Sequence, residues 1–316
     1  MELEEKSPTS YIYTHLNGKY QGELIVNAKM LATVQNEYLK EQIKSKTLHS
    51  LYMEYLEEED KDTMDSVTML THGNIAPRDE AMATFLQDRN VYYGEKRTCA
   101  ACKSVPRTVD HVASRCTLFL PKMTLRHNEV IKCIHKSLCI KYKFSKDKRI
   151  KLHMMQKVIE NQYAKITTDS KAVTERPLEH KRPDIVLTDK IQNKTYIIDV
   201  TICGTKRLLM AEQEKRAKYE VLAREKRQQL GHDVEVLPYA MTWDGMVSHG
   251  HREIRKLLGV SERIHAYTQQ VVLRHSADMA LRDVGRELHV VEGRDGLIDS
   301  VLAVVDCSED QGEETF

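Results

Sequence analysis

The chain has 316 residues, 48 Lys and Arg against 47 Asp and Glu, a net charge of +1 and 30% charged residues. That length allows about two domains, the balanced charge excludes a simple basic nucleic-acid coat, and no apolar run approaches the ~18–20 residues of a membrane-spanning helix. The cysteines, at 99, 102, 116, 133, 139, 203 and 307, are odd in number, and the first three lie close together beside a histidine; this fits a reducing compartment with one metal site better than a disulfide framework.

The opening MELEEKSPTS is acidic and polar, unlike a secretory signal, and residues 1–19 lack periodicity and are expected to be disordered or loosely packed. From 21 to 60 the spacing of Leu24, Ala28, Leu31, Val34, Tyr38 and Leu39 predicts helix. Gly73-Asn74 marks a turn, and a helix begins near Pro77. A cysteine-containing segment spans about 97–120, basic helical sequence follows to about 165, and 168–181 is polar and irregular. From Arg182 the pattern is strand (IVLTD), turn (DKIQNK), strand (TYIIDVTIC), helix (207–230), strand (233–241) and two helices (249–258 and 261–290). The chain closes on an acidic tail expected to be disordered. The expected class is α/β, a mixed sheet flanked by helices. Four regions are expected: a helical region over 1–92, a cysteine module with a basic helix over 93–145, the α/β domain over 146–290, and the tail over 291–316.

Two aspartates stand out in the 182–206 segment. Asp199 sits inside YIIDVTI, where aspartate is disfavoured, and a lone buried carboxylate is costly unless protonated, paired or bound to a metal. Asp184 opens the neighbouring strand after Pro183, and antiparallel pairing brings it near. Two such carboxylates repel unless a cation lies between them, and oxygen ligands suit magnesium. On the next helix, Leu208, Ala211, Leu222 and Leu230, with Tyr219 beside them, mark the packing stripe, and Lys215 and Lys218 lie on or next to it. Two acids and one lysine can support metal-assisted phosphodiester hydrolysis. The plainer alternative makes Asp184 a turn residue, Asp199 a salt-bridged strand residue and the lysines a solvated face.

The second motif is CAACKSVPRTVDHVASRC, in which Cys99, Cys102, His111 and Cys116 follow C-x2-C-x8-H-x4-C. Thiolates and an imidazole at this spacing can close a tetrahedral zinc site of structural type. Arg97, Lys103, Arg107 and Arg115 beside it are candidates for phosphate contact. His249 and His251 have no acid or cysteine at ligand spacing and are not expected to form a second metal site; Trp243 reads as a packing residue. The Lys and Arg residues of 215–227 are interleaved with glutamates, so they divide between a DNA-facing groove and a solvated face.

The run RPDIV…YIIDVTI…EKRAKYEVLAREK resembles the restriction-like endonuclease region of non-LTR retrotransposons, similar to the PD-(D/E)xK superfamily. The resemblance extends from about Leu48-His49 to about Arg282. It implies that Asp184, Asp199 and the backbone carbonyl of Val200 bind magnesium. The superfamily's lysine, two residues after the second acid, is replaced here by Thr201, and its role passes to Lys215 or Lys218, between which the sequence does not choose. Glu160, Glu175 and Glu179 are weak candidates for the superfamily's helical acid. The cysteine motif is similar to the zinc knuckle that such elements carry between polymerase and endonuclease, including the TVDH before its last cysteine. No FADD- or YADD-like pair occurs, so the chain is expected to be the C-terminal part of a retroelement polyprotein without its polymerase. The implied partners are DNA and element RNA, and the implied setting is the nucleus, where chromosomal DNA lies. A catalytically idle remnant that grips nucleic acid through the knuckle and basic helices is the alternative.

Overall fold

A computed structural model describes residues 28–46, 53–54, 57–59, 61–73, 75–87, 91–92, 97–174 and 178–290. The expected loose N-terminus, the acidic tail, Leu24, Asn74 and Glu175 lie outside the described residues. Nine helices are named in chain order: α1 (Ala28–Lys44), α2 (Thr63–Ser66), α3 (Thr68–Thr71), α4 (Pro77–Gln87), α5 (Val109–Ser114), α6 (Leu120–Lys141), α7 (Leu208–Leu230), α8 (His251–Leu258) and α9 (Glu262–Val290). Among the described residues no helix is long and apolar enough to cross a membrane.

The sheet grows from the expected hairpin. IVLTD forms β3 (Ile185–Asp189) and KTYIIDVTIC forms β4 (Lys194–Cys203), paired antiparallel with Ile185 opposite Ile198. Asp189 sets the turn: its Oδ1 accepts from the backbone N–H of Ile191 and Gln192, both at 2.9 Å, and its Oδ2 accepts from the Tyr142 hydroxyl. Asn193 closes the turn in the left-handed region, φ 52°. The chain then crosses through α7 and returns as β5 (Asp233–Thr242), parallel to β4. As an edge strand β5 tolerates Pro238, whose missing N–H would break a central ladder.

One expectation fails. Basic helix was expected to about 165, but α6 stops at Lys141, irregular chain follows, and 158–168 is a second hairpin. Its strands β1 (Val158–Glu160) and β2 (Ala164–Thr168) extend the sheet in the order β1-β2-β3-β4-β5. The reason is local: Asn161 Oδ1 accepts from the N–H groups of Tyr163 and Ala164, fixing a turn. The flanking Val, Ile and Thr residues favour extended backbone.

Helices cover both faces. Val130, Ile134 and Leu138 of α6 pack on Ile185, Leu187 and Ile198, so the basic helix grouped in sequence with the cysteines shares the core of the sheet. On the other face Tyr219, Leu222 and Ala223 of α7 pack on Ile197, Val234 and Val236. Leu230, expected in that stripe, is exposed at the last turn of α7, before the left-handed cap of Gly231 at φ 69°. A further core joins Trp243 to Leu86 of α4 and Leu273 and Ala277 of α9; Trp243 is wholly buried, as a packing residue should be.

Leu187, fully buried between the sheet and α6, gives a direct check. Leu187→Ala should cost about 2–5 kcal/mol, read as a lower urea midpoint at unchanged slope. A midpoint equal to that of the parent would mean that this face is not the core.

Candidate functional site

Carrying the β3–β4 register one step past Ile185 sets Asp184 opposite Asp199. The backbone N–H of Val200 donates to Asp184 Oδ2 at 2.7 Å, which holds that carboxylate against β4. Asp199 shares a sheet face with Ile197, beneath α7, and is buried. The Lys215 ammonium approaches Asp199 Oδ2 to 2.5 Å. This ion pair partners the buried carboxylate oxygen.

The two lysines therefore separate. Lys218, one helical step on, lies over the Tyr219 ring, 4.7 Å from its centroid, and its only described contact of this kind is with that ring. The Tyr219 hydroxyl donates to Arg182 O at 3.1 Å. Burial first, then the charge of Asp199, push its pKa far above the ordinary tyrosine range.

A residue that the sequence did not single out joins the group. His127, on α6, places Nε2 at 3.2 Å from both Asp184 Oδ2 and Val200 O. Both are acceptors, so Nε2 carries the proton. Burial alone would lower the His127 pKa, but the hydrogen bond and charge of Asp184 outweigh it and the net shift is upward. The weak candidates for a helical acid lie elsewhere. Glu160 is exposed on edge strand β1 and pairs with Lys165 and Lys190, and Glu179 is exposed beside His180. His127 escaped notice because it lies in the ordinary helical pattern of LRHNEV, more than fifty residues from the acids.

The basic residues of α7 are largely committed within the fold. Arg227 contacts Glu220 and the Val234 carbonyl, Arg224 contacts Glu220, and Lys226 reaches Val173 O and Gln229.

Cys99, Cys102, His111 and Cys116 do come together, with one ligand atom from each within 4.8 Å of all the others, and so form a group that can hold a metal ion. The turn carrying the first two cysteines is closed by Cys99 N to Val105 O and by Lys103 N to Cys99 O, with Lys103 at φ 55°. Thr108 caps α5 by accepting from the N–H of His111. Burial, and then the charge of Arg115, lower the His111 pKa. Burial pushes the Cys116 thiol up to about 12. The module rests on Met279 of α9.

Asp110 locks the module to the sheet: its Oδ1 accepts from Thr205 N at 2.9 Å, Thr205 Oγ1 at 3.0 Å and Trp243 Nε1 at 2.8 Å. Of the four basic residues proposed for phosphate contact, Arg97, Lys103 and Arg115 are exposed. Arg107 is not: it is buried, bonded to Asp283 and stacked 4.4 Å from the Tyr92 ring centroid. Its guanidinium serves the packing of α9.

His251 has partners that its local sequence does not reveal. Asp65 of α2 and His265 of α9 lie within 4.8 Å of it, all three buried. The Asp65 carboxylate, however, receives Arg255 Nη2 at 2.8 Å and Nε at 3.3 Å, so it is already held in a buried ion pair. His249 stands apart, at 3.0 Å from Glu59 O.

Burial holds His251 well below its ordinary pKa and lowers His265 to about 4. Their unfolded value is about 6.5, so this stability is complete above that pH and is lost as pH falls toward 4. Lowering pH from about 7.5 to about 5 should reduce unfolding free energy by on the order of 1–3 kcal/mol, and less in His265→Gln. A flat urea midpoint over that range would show that these rings accept protons freely in the folded state. Compared with known proteins, the chain matches no family model and no curated protein.

Proposed function

We propose that the chain is a metal-dependent DNA endonuclease of PD-(D/E)xK type, derived from a non-LTR retrotransposon and suited to nicking target DNA so that a 3′-hydroxyl can prime reverse transcription. The observation that carries this reading is the convergence of Asp184, Asp199 and Lys215: an acid one step ahead of β3, an acid inside β4 and a helix lysine 2.5 Å from the second.

The donors fit a hard divalent cation. Asp184, Asp199 and the Val200 carbonyl supply oxygen only, two of the three from carboxylates. A magnesium ion held by Asp184, Asp199 and the Val200 carbonyl would supply Lewis-acid polarisation of the phosphodiester and activation of water. The chain's own groups do the rest. Lys215 places its ammonium beside Asp199, where it steadies negative charge developing on phosphate or orients a water. His127 hydrogen-bonds Asp184 and the Val200 carbonyl, which orients two of the three oxygen donors. Of the two lysines, the ion contact favours Lys215 for the reaction and leaves Lys218 to cover Tyr219.

The cysteine module reads as a zinc knuckle that grips nucleic acid. Cys99 Sγ and Cys116 Sγ are 3.7 Å apart, against about 3.8 Å for the edge of a tetrahedron with Zn–S bonds of ~2.3 Å and ~2.05 Å for a disulfide. His111 Nε2 is buried without a hydrogen-bond partner, as a nitrogen intended for a metal would be. Four protein ligands leave no open position, so the ion's role is structural. The exposed Arg97, Lys103 and Arg115 supply the phosphate contacts.

A plasmid-nicking assay on the full chain tests the reading. Nicking should require magnesium and disappear with EDTA. Asp199→Ala and Lys215→Ala should each lower the rate by about 10²-fold or more, while Lys218→Ala stays within about threefold of the parent. DNA binding should survive all three changes and weaken steeply with salt. Folded, metal-loaded protein that binds DNA and never nicks it would replace the enzyme with a binding remnant. Equal losses from Lys215→Ala and Lys218→Ala would remove the assignment of the lysine.

A further inference from the structure

A third group of ligand-type side chains lies apart from the acids and from the cysteine module. His135 and Cys139 are separated by about one turn of α6 and so project from the same face. Beyond Lys141 the chain runs irregularly and turns back to set His153 against them. His135 Nδ1 lies 2.7 Å from His153 Nε2 and 3.4 Å from Cys139 Sγ. The two imidazole rings are 4.9 Å apart at 33°. His135 and Cys139 are buried and His153 is half-buried.

A hydrogen bond between the two histidines explains only part of this. It uses one proton and one lone pair. The Cys139 sulfur lies against the same Nδ1 that faces His153, so one nitrogen has two neighbours for a single hydrogen bond; Nε2, on the far edge of the ring, is buried with no partner. Three donors, two imidazoles and a thiol, thus meet within 4.8 Å. The sulfur-to-nitrogen spacing already suits a tetrahedral zinc site, whose S···N edge is about 3.5 Å. The nitrogen pair, at 2.7 Å, would need to open by about 0.6 Å, toward about 3.3 Å. Imidazole with thiolate is a donor set for zinc; hard ions such as magnesium take oxygen.

We propose that His135, Cys139 and His153 bind a zinc ion, with a water in the fourth position. Cys139 binds as thiolate and gives its proton to solvent. The ion clips the irregular segment between α6 and β1 onto α6, the helix that also carries His127. The site requires neither the nuclease reading nor the four-ligand module, since it shares no residue with either.

Metal content of the full chain, purified without chelator and measured by inductively coupled plasma mass spectrometry, decides it. The parent should hold two zinc ions per chain. A Cys102→Ser/Cys116→Ser variant should retain one, and His153→Ala should lose one while keeping the other. His153 is half-buried, so its removal leaves the core in place; circular dichroism confirms folding. In the double-serine variant, cobalt replacement should give a single-thiolate charge-transfer band that Cys139→Ser abolishes. Parent-level zinc in folded His153→Ala overturns the proposal, and so does a parent with one ion that the double-serine change removes. A single ion lost only with His153→Ala would uphold this site and refute the knuckle.

Discussion

A carboxylate placed inside a β-strand needs a positive partner, and the approach of Lys215 to Asp199 meets that need across two layers of the fold. The strand supplies the acid, and the helix following it supplies the base. Breaking such a pair from one side leaves a buried charge, which costs more than the pair contributes to stability. The helix is therefore fixed in rotation as well as in position. With Lys215 turned toward Asp199, Tyr219 and Leu222 fall on Ile197 and Val236, and Arg216 and Arg227 reach the carbonyls of β5. Packing and electrostatics specify the same orientation of α7, which is the kind of agreement that gives a sequence one structure.

The other side of the sheet reaches the same acids by a different route. α6 buries Val130, Ile134 and Leu138 on the sheet and, from its N-terminal half, lends His127 to Asp184 and Val200. The acids thus lie where a strand end, a helix from one face and a helix from the other face meet. Each contributes one polar contact, and the apolar residues around them keep the arrangement rigid.

Much of this was legible in the sequence. The IVLTD–TYIIDVTIC hairpin, the helix after it, the returning strand and the two last helices were readable because their periods are clean and their turns carry Asp and Asn. The acids, and the pair of lysines near them, were found through the anomaly of an aspartate in a β-run. The four metal-type residues at 99–116 were found through spacing alone. The hairpin of β1 and β2 was missed because its strands are short and follow a basic helix with no Pro or Gly between them. His127, the partners of His251, and the meeting of His135 with His153 depend on long-range packing, which spacing does not encode. Arg107 shows the reverse error: a basic residue beside a cysteine motif looked exposed, yet α9 buries it against Asp283. Nor could the sequence choose between Lys215 and Lys218; the rotation of α7 sets Lys215 against Asp199 and Lys218 over the Tyr219 ring.

The three hydrogen bonds to Asp110 carry a mechanical consequence. They come from the Thr205 turn, just after β4, and from Trp243, just after β5. To swing the cysteine module away, all three must break together, so they hold the module in one position against the sheet. On the proposed reading, the distance from the phosphates held by Arg97, Lys103 and Arg115 to the bond facing Asp199 is then built into the fold. The molecule would measure its cut from its grip, as a ruler does, by fixed length.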